Sequence, residues 1–219
     1  MRALPLVLIA ALAFAPARSV SGGPAAPAAP SRAEWEALAV RYRAILLRDP
    51  DDAHARYSLA IVHAHEGRVM EGYRELQAVD RRLGARRDVF SVQVVADAQR
   101  ILAARPNHVP SRYRLAFALW FQGRKDEARA ELERLVALEP EHPWSLGYLG
   151  YAYADAGDLD TAVALWERGI ALDPANAVLH YVLALAYTRK GQLKKAAAHF
   201  AAAYRDRTLR DYVKDQEGR

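Results

Sequence analysis

The seven histidines of this 219-residue sequence are the first residues to examine for metal chemistry. The segment HAHEG places His63 and His65 two residues apart, with Glu66 beside them. Two histidines four residues apart share one face of a helix and can hold one zinc ion. A spacing of two residues points the rings toward different faces. We therefore predict that these side chains, and that of His54, lie in the core or at the surface and bind no metal.

Motifs of covalent and phosphate chemistry are missing from the sequence. No serine stands in a Gly-x-Ser-x-Gly or Ser-x-x-Lys arrangement, and no Gly-rich phosphate loop or dinucleotide fingerprint occurs. The absence of cysteine excludes disulfides, thiolate metal sites, a cysteine nucleophile and a lipidated N-terminal cysteine. Asp155, Asp158 and Asp160 cluster where one helix ends and the next begins, and acidic groups there stabilise the helix dipole. We predict that the protein is not an enzyme and uses no cofactor.

The charge pattern argues against nucleic acid as a partner. The chain has 31 basic and 26 acidic residues, a net charge of +5, and the two signs are interspersed without a long block of one sign. With 52% hydrophobic residues, the chain can bury a core of ordinary size.

The N-terminus has the pattern of an export signal. Arg2 precedes the apolar run ALPLVLIAALAFA, and small residues at Ala13, Ala15 and Ala17 suit a cleavage site after Ala15 or Ala17. The run is shorter than the roughly 20 apolar residues that cross a bilayer as a helix. We predict a signal peptide over 1–17, a flexible Pro/Ala/Gly linker over 18–31 and a periplasmic or secreted protein of a bacterial envelope. The alternative is an uncleaved anchor.

The elements that must position any functional residue repeat with a period of about 34 residues. Three glycines, three leucines, three alanines and two prolines recur at one fixed interval. They are Gly123, Gly157 and Gly191; Leu115, Leu149 and Leu183; Ala128, Ala162 and Ala196; Pro140 and Pro174.

Each repeat has the pattern of two amphipathic helices joined by a turn. Gly157 suits a left-handed residue at the end of the first helix, because it has no Cβ. Pro174 ends the second helix, and Ala162 is small enough to let the two helices approach closely.

These residues resemble the tetratricopeptide repeat family. The third copy has the family's Leu-Gly pair at Leu149 and Gly150, and the remaining pattern follows at Tyr153, Ala162, Trp166 and Pro174. The resemblance covers nearly all of the chain after the linker and implies an all-α fold, an α-solenoid of helix-turn-helix repeats.

The front of the chain departs from the regular period. The spacing from Gly67 to Gly123 exceeds one period by the length of an additional helix, and the spacing from Pro50 to Pro106 shows the same excess. We therefore expect one extra helix near residues 69–104, within the irregular segment 69–106. Helical patterns over 69–83 and 88–104 compete for one regular position, and the sequence leaves open which is the insertion.

The period divides the predicted solenoid, residues 32–210, into units. We predict a half-repeat over 32–52 and repeats over 53–86, 109–142, 143–176 and 177–210, followed by a tail over 211–219. Leu209, Tyr212 and Val213 can pack on a partner, but we expect a frayed tail.

The resemblance implies that the first helix of each repeat lines a concave groove. After the packing positions are assigned, aromatic and aliphatic residues remain on these helices, and such side chains dominate interfaces. The alternative is that they thicken the core between repeats. The predicted groove residues are Tyr57, Ile61, Tyr113, Phe117, Trp120, Phe121, Trp144, Tyr148, Tyr151, Tyr181 and Leu185.

These patterns together favour a non-enzymatic interaction scaffold or adaptor of the cell envelope. The expected partner is a peptide segment or helix of another protein held in the aromatic groove, with Arg112, Arg114 and Arg189 near enough to take an acidic group. The alternative is a structural scaffold that self-assembles through its ends into a homo-oligomer.

Overall fold

The structure is a computed structural model that describes residues 31–217, with side chains described to residue 214. The predicted signal peptide over 1–17 and all but the last residue of the predicted linker lie outside the described residues. The described chain divides into two compact units, residues 31–140 and 141–217. Within this range no helix is both long enough and apolar enough to cross a membrane.

Between residues 31 and 217 the chain forms helices and no strand. The first unit holds α1 (Arg32–Arg48), α2 (Ala53–His65), α3 (Val69–Leu83), a 3-10 turn (Gly84–Arg86), α4 (Arg87–Ala104), α5 (Val109–Phe121) and α6 (Lys125–Leu138). The second unit holds α7 (Pro143–Asp155), α8 (Leu159–Leu172), α9 (Ala177–Arg189), α10 (Leu193–Ala203) and α11 (Arg207–Glu217). The predicted all-α fold of helix-turn-helix repeats is confirmed.

A glycine with positive φ ends the first helix of each hairpin. Gly157 has φ of 85°, and Gly67, Gly123 and Gly191 have φ between 70° and 75°. The backbone N–H of the following residue, Asp158, donates to the carbonyl of Tyr153 at 2.9 Å, which satisfies a helix-end carbonyl. The predicted role of Gly157 is confirmed.

Small residues set how closely the two helices of a hairpin approach. Ala162 of α8 is fully buried, as predicted, and a Cβ added to Gly150 of α7 would lie 3.1 Å from its carbonyl oxygen. The same Cβ would lie 2.7 Å from Nε1 of Trp166, whose N–H donates to the carbonyl of Gly147 at 3.0 Å. The glycine and the tryptophan of the third repeat are therefore fitted to each other.

Polar side chains begin the first helices, and two of them are histidines. Nδ1 of His108 accepts the backbone N–H of Ser111 at 3.3 Å, and Nδ1 of His142 accepts that of Ser145 at 3.2 Å. Asp52 and Asn176 cap α2 and α9 in the same way. These histidines stabilise helix starts, which the sequence patterns had not indicated.

The predicted extra helix is present, and its packing shows which helix it is. The chain turns at Gly67 into α3, and α3 packs mainly on α2 as the second helix of a hairpin. Helix α4 instead packs mainly on α5. Its Phe90 also contacts α2, with ring centroids 4.7 Å from His54 and 5.9 Å from Tyr57. Helix α4 is therefore the additional helix.

Helices without a hairpin partner lie at both ends of the described chain. Helix α1 packs on α2 through the buried Trp35 and Ala39. At the other end, the expected frayed tail is replaced by α11, which buries Leu209 and Val213 against Tyr181. An apolar pair four residues apart gives α11 one packing face, which holds it in place.

Candidate partner-binding surface

The first unit places most of its predicted groove residues in the packed interior. Tyr57 and Ile61 of α2 and Tyr113 and Phe117 of α5 are buried. Trp120 is half-buried, and Phe121 is 39% exposed at the end of α5. This unit therefore offers an aromatic surface at the end of α5 and little along its earlier turns.

Specific contacts explain this burial. The hydroxyl of Tyr57 donates to the carbonyl of Arg114 at 3.0 Å, which ties α2 to α5. The ring of Tyr113 lies 6.1 Å from that of Trp35, edge to face, and stacks at 6.3 Å with Phe117. These residues hold neighbouring helices together.

The second unit has a similar arrangement. Tyr148 and Tyr151 of α7 and Tyr181 of α9 are buried, whereas Trp144 and Leu185 are half-buried. The Trp144 and Tyr148 rings lie 6.0 Å apart, one turn of α7 from each other. Leu185 packs against the cluster that contains Tyr181 and α11.

The accessible part of the predicted surface is thus smaller than the full set. Trp120, Phe121, Trp144 and Leu185 keep accessible surface, and the other seven predicted residues are buried. Burial of those seven favours a packing role for them, which was the alternative considered from the sequence. Partner binding by the accessible residues stays a prediction.

The buried tyrosines stay protonated at neutral pH. Burial raises the pKa of Tyr57, Tyr148 and Tyr151 well above the ordinary value of 10. Burial and a hydrogen bond to Glu167 raise the pKa of Tyr187 to about 12. All four therefore remain neutral and contribute area and hydrogen bonds.

A polar link across the hairpin recurs between residues at one fixed separation. Nη1 of Arg56 donates to Oε2 of Glu75 at 2.8 Å, and Arg112 pairs with Glu131 in the same way. Arg56 also donates from Nε to the carbonyl of Pro50 at 2.9 Å. Each link therefore ties a first helix both to the second helix and to the preceding loop.

The fourth hairpin has histidines at the same positions. Nδ1 of His180 lies 2.9 Å from Nδ1 of His199, and Nε2 of His180 lies 3.2 Å from the carbonyl of Pro174. The third hairpin has Leu146 and Leu165 there, and both are buried. Three chemically different pairs thus occupy one position of the repeat.

The link explains the role of Arg112, which the sequence pattern had suggested as a binding group for an acidic partner. Arg112 is buried, pairs with Glu131 and donates to the carbonyl of Pro106, so it is not a surface receptor for an acidic partner. The equal spacing of Arg56 to Glu75 and Arg112 to Glu131 was the signal that could have revealed this role.

The HAHEG segment divides as its spacing predicted. His63 is buried on the side of α2 that faces Gly72 of α3, and burial, with Arg68 and Arg43 nearby, lowers its pKa. His65 stacks on Trp35 of α1 at 3.9 Å. The Cβ of His63 thus faces α3, and the ring of His65 lies against α1.

Family comparison agrees with this architecture. Models of the tetratricopeptide repeat match residues 36–78 and 92–146, and a TPR repeat model matches residues 150–191, so the matches together cover more than half of the chain. The chain is a tetratricopeptide repeat (TPR) protein. Repeats of this kind are interaction modules, and this TPR protein has the helix pairs, turn glycines and small contact residues of that class.

Solved structures with similar folds include several TPR proteins. MamA from Desulfovibrio magneticus RS-1 is 22% identical, with 84% of this chain and 89% of that chain covered and a TM-score of 0.47. A MamA double mutant is 21% identical, with 86% and 90% covered and a TM-score of 0.48. YrrB, a TPR protein with an unusual peptide-binding site, is 20% identical, with 84% of both chains covered and a TM-score of 0.44. A search of curated proteins gave no significant match.

Proposed function

We propose that this TPR protein is a non-enzymatic adaptor of the cell envelope that binds a peptide segment or helix of another protein along its first helices. The observation that carries the proposal is the set of aromatic side chains that remain accessible on those helices. These side chains are Phe121 and Trp120 on α5 of the first unit and Trp144 on α7 of the second unit. Aromatic side chains combine large contact area with few rotatable bonds, which suits them as anchors for a partner.

The experiment is affinity capture from an envelope extract of the source organism. The bait pair is the wild type and a Phe121→Glu/Trp144→Glu variant, because both side chains keep accessible surface and a charge at these positions opposes apolar contact with a partner. Charges at the buried Phe117 or Tyr148 would disrupt packing instead. Leu193→Glu is the matched control, since Leu193 is an exposed apolar residue on the second helix α10.

A partner lost by the double variant and kept by the control supports the adaptor function. The captured protein is then expressed and its affinity measured directly with each variant. If every bait retains the same proteins, the first helices are not the binding surface.

The envelope location rests on the N-terminal sequence. Mass spectrometry of the exported protein is expected to show an N-terminus at Pro16 or Arg18, after cleavage at the small residues. An intact N-terminus on membrane-bound protein would favour the anchor, and retention in the cytoplasm would overturn the location.

Self-assembly is the second candidate function, and α1 carries the observation for it. Val40 and Leu47 are 65% and 85% exposed on this terminal helix. They stand one heptad apart, the spacing of a helix-pairing seam. Light scattering over a range of concentrations tests this function: oligomers that disappear with Leu47→Glu support it, and a monomer at all concentrations excludes it.

A further inference from the structure

The extra helix α4 has an apolar stripe that faces solvent. Val89 and Val92 are 62% and 61% exposed, whereas Phe90, Val94 and Ala98 on the opposite side are buried. The exposed stripe continues at alternating steps of three and four residues, which is the seam spacing of helices that pair. The α4 stripe consists of Val89, Val92, Ala96, Gln99 and Ala103.

The stripe is uncovered because α4 interrupts the alternation of hairpins. Helix α2 pairs with α3 and α5 pairs with α6, so each of these second helices has a first helix beside it. Helix α4 packs on α5 by its buried side and contacts α3 at few points. Among the described residues of the first unit, no helix takes the place of a hairpin partner on its other side.

The surroundings of the stripe are strongly basic. Residues 81–105 contain six arginines and two aspartates, a net charge of +4 in a chain whose total is +5. Arg100 stands one turn after Ala96, so helical spacing puts it beside the stripe, and Arg86 lies in the 3-10 turn that precedes α4. The segment around α4 therefore has an excess of positive charge.

Nearby carboxylates neutralise only part of this charge. Three exposed ion pairs join arginines of this segment to carboxylates: Arg82 with Asp51, Arg87 with Asp80 and Arg100 with Asp97. In the described part of the chain Arg81 and Arg86 have no ion pair. An acidic partner could pair its carboxylates with these two arginines. It would also bury the apolar side chains of the stripe, which removes them from water.

We propose that the α4 stripe is a second docking surface, which binds an amphipathic helix of another protein whose apolar seam is flanked by acidic residues. The small side chains of Ala96 and Ala103 let a helix approach closely, and Val89 and Val92 are suited to a helix-pairing seam. A membrane surface fits less well, because the stripe has none of the Trp, Phe or Leu anchors of interfacial helices. This surface shares no residue with the first-helix residues of the proposed function.

The experiment measures fluorescence anisotropy of a labelled model peptide with the full chain. The probe is an amphipathic helix of about three heptads with leucine at the seam and glutamate beside it. The same peptide with lysine in place of glutamate is the charge control. Vesicles containing phosphatidylglycerol, assayed by flotation, test the membrane alternative.

The variants distinguish binding by the α4 stripe from the effect of the arginine charges and from binding by the first-helix residues. Val92→Glu is expected to weaken binding of the acidic peptide at least about tenfold, and Leu193→Glu, at a similarly exposed apolar residue of α10, is expected to leave it unchanged. Arg86→Glu/Arg100→Glu is expected to shift preference toward the lysine peptide. Phe121→Glu/Trp144→Glu is expected to bind the acidic peptide like the wild type, so failure of the first-helix surface leaves this result intact.

Circular dichroism confirms that each variant remains folded. No binding of the acidic peptide, equal binding of both peptides, or binding that survives Val92→Glu would overturn the proposal. Vesicle binding that is lost with Val92→Glu, without peptide binding, would assign the stripe to an anionic lipid surface instead.

Discussion

Nδ1 of His180 and Nδ1 of His199 lie 2.9 Å apart, at the position where two other hairpins carry an arginine and a glutamate. The carbonyl of Pro174 accepts a hydrogen bond from Nε2–H of His180. Nδ1 of His180 is therefore the acceptor of the hydrogen bond from Nδ1–H of His199. The fourth hairpin is therefore held by a hydrogen bond between two imidazole rings.

This relationship predicts a loss of stability in mild acid. Burial and the neighbouring His180 lower the pKa of His199, with Lys195 acting in the same direction and Glu167 against it. Burial also lowers the pKa of His63 and His108. Below about pH 6.5 the unfolded chain takes up protons that the folded chain resists, so the free energy of unfolding falls as pH decreases.

Urea unfolding between about pH 7.5 and pH 5 measures this effect. His180→Leu/His199→Leu copies the leucine pair of the third hairpin, and its stability is expected to fall less over the same range. An unfolding free energy that rises on acidification, or an unchanged pH dependence in the double variant, would contradict the assignment.

The buried arginine link predicts unequal costs at equivalent positions. Glu131→Ala leaves the guanidinium of Arg112 buried without its carboxylate, which is expected to cost about 3 kcal/mol. Glu75→Ala removes the partner of Arg56, which is partly exposed, and is expected to cost about 1 kcal/mol or less. Thermal and urea unfolding of both variants gives the comparison, and equal costs would show that burial does not set the strength of the link.

The fit of Gly150 to Trp166 predicts unequal costs of substitution at two neighbouring glycines. Gly150→Ala places a methyl 2.7 Å from an indole that is held by its hydrogen bond, so stability is expected to fall by about 1 kcal/mol or more despite better helix propensity. Gly147→Ala meets the end of the flexible Leu179 side chain at 2.9 Å and is expected to cost less. Stability of both variants is measured by urea unfolding, and a larger cost at residue 147 would disprove the locked indole.

The last helix predicts a local effect of charge. Val213 of α11 is buried against Tyr181, so Val213→Asp is expected to detach α11 and destabilise the second unit by about 2–3 kcal/mol. Hydrogen exchange should then show faster exchange in α9, α10 and α11 and little change in α2 to α6. Lys214→Asp, at the adjacent exposed position, is the control.

The repeating features of this fold were predictable because they are local. Gly157 and Ala162 each meet a steric demand that recurs every repeat, and a fixed period makes such demands visible in the sequence. The extra helix was predictable from the length it adds, but its identity depended on whether α3 or α4 packs on α2. That choice is made by tertiary contact.

The accessible surface was harder to predict for a physical reason. In α7, eight consecutive residues from Ser145 to Ala152 are buried, so this first helix is covered on all sides. Periodicity distinguishes an exposed face only when one exists. Tyr148 and Tyr151 therefore had the same pattern as surface aromatics while lying in the interior.

The hairpin link has a consequence for how this chain can diverge. An ion pair, an imidazole pair and two leucines all fit one position of the same backbone. Replacing both residues of one such pair therefore changes how the stability of that repeat responds to acid or salt. The turn, the small contact residues and the neighbouring repeats stay unchanged. Environmental sensitivity can thus be inherited repeat by repeat, while the fold that carries it stays the same.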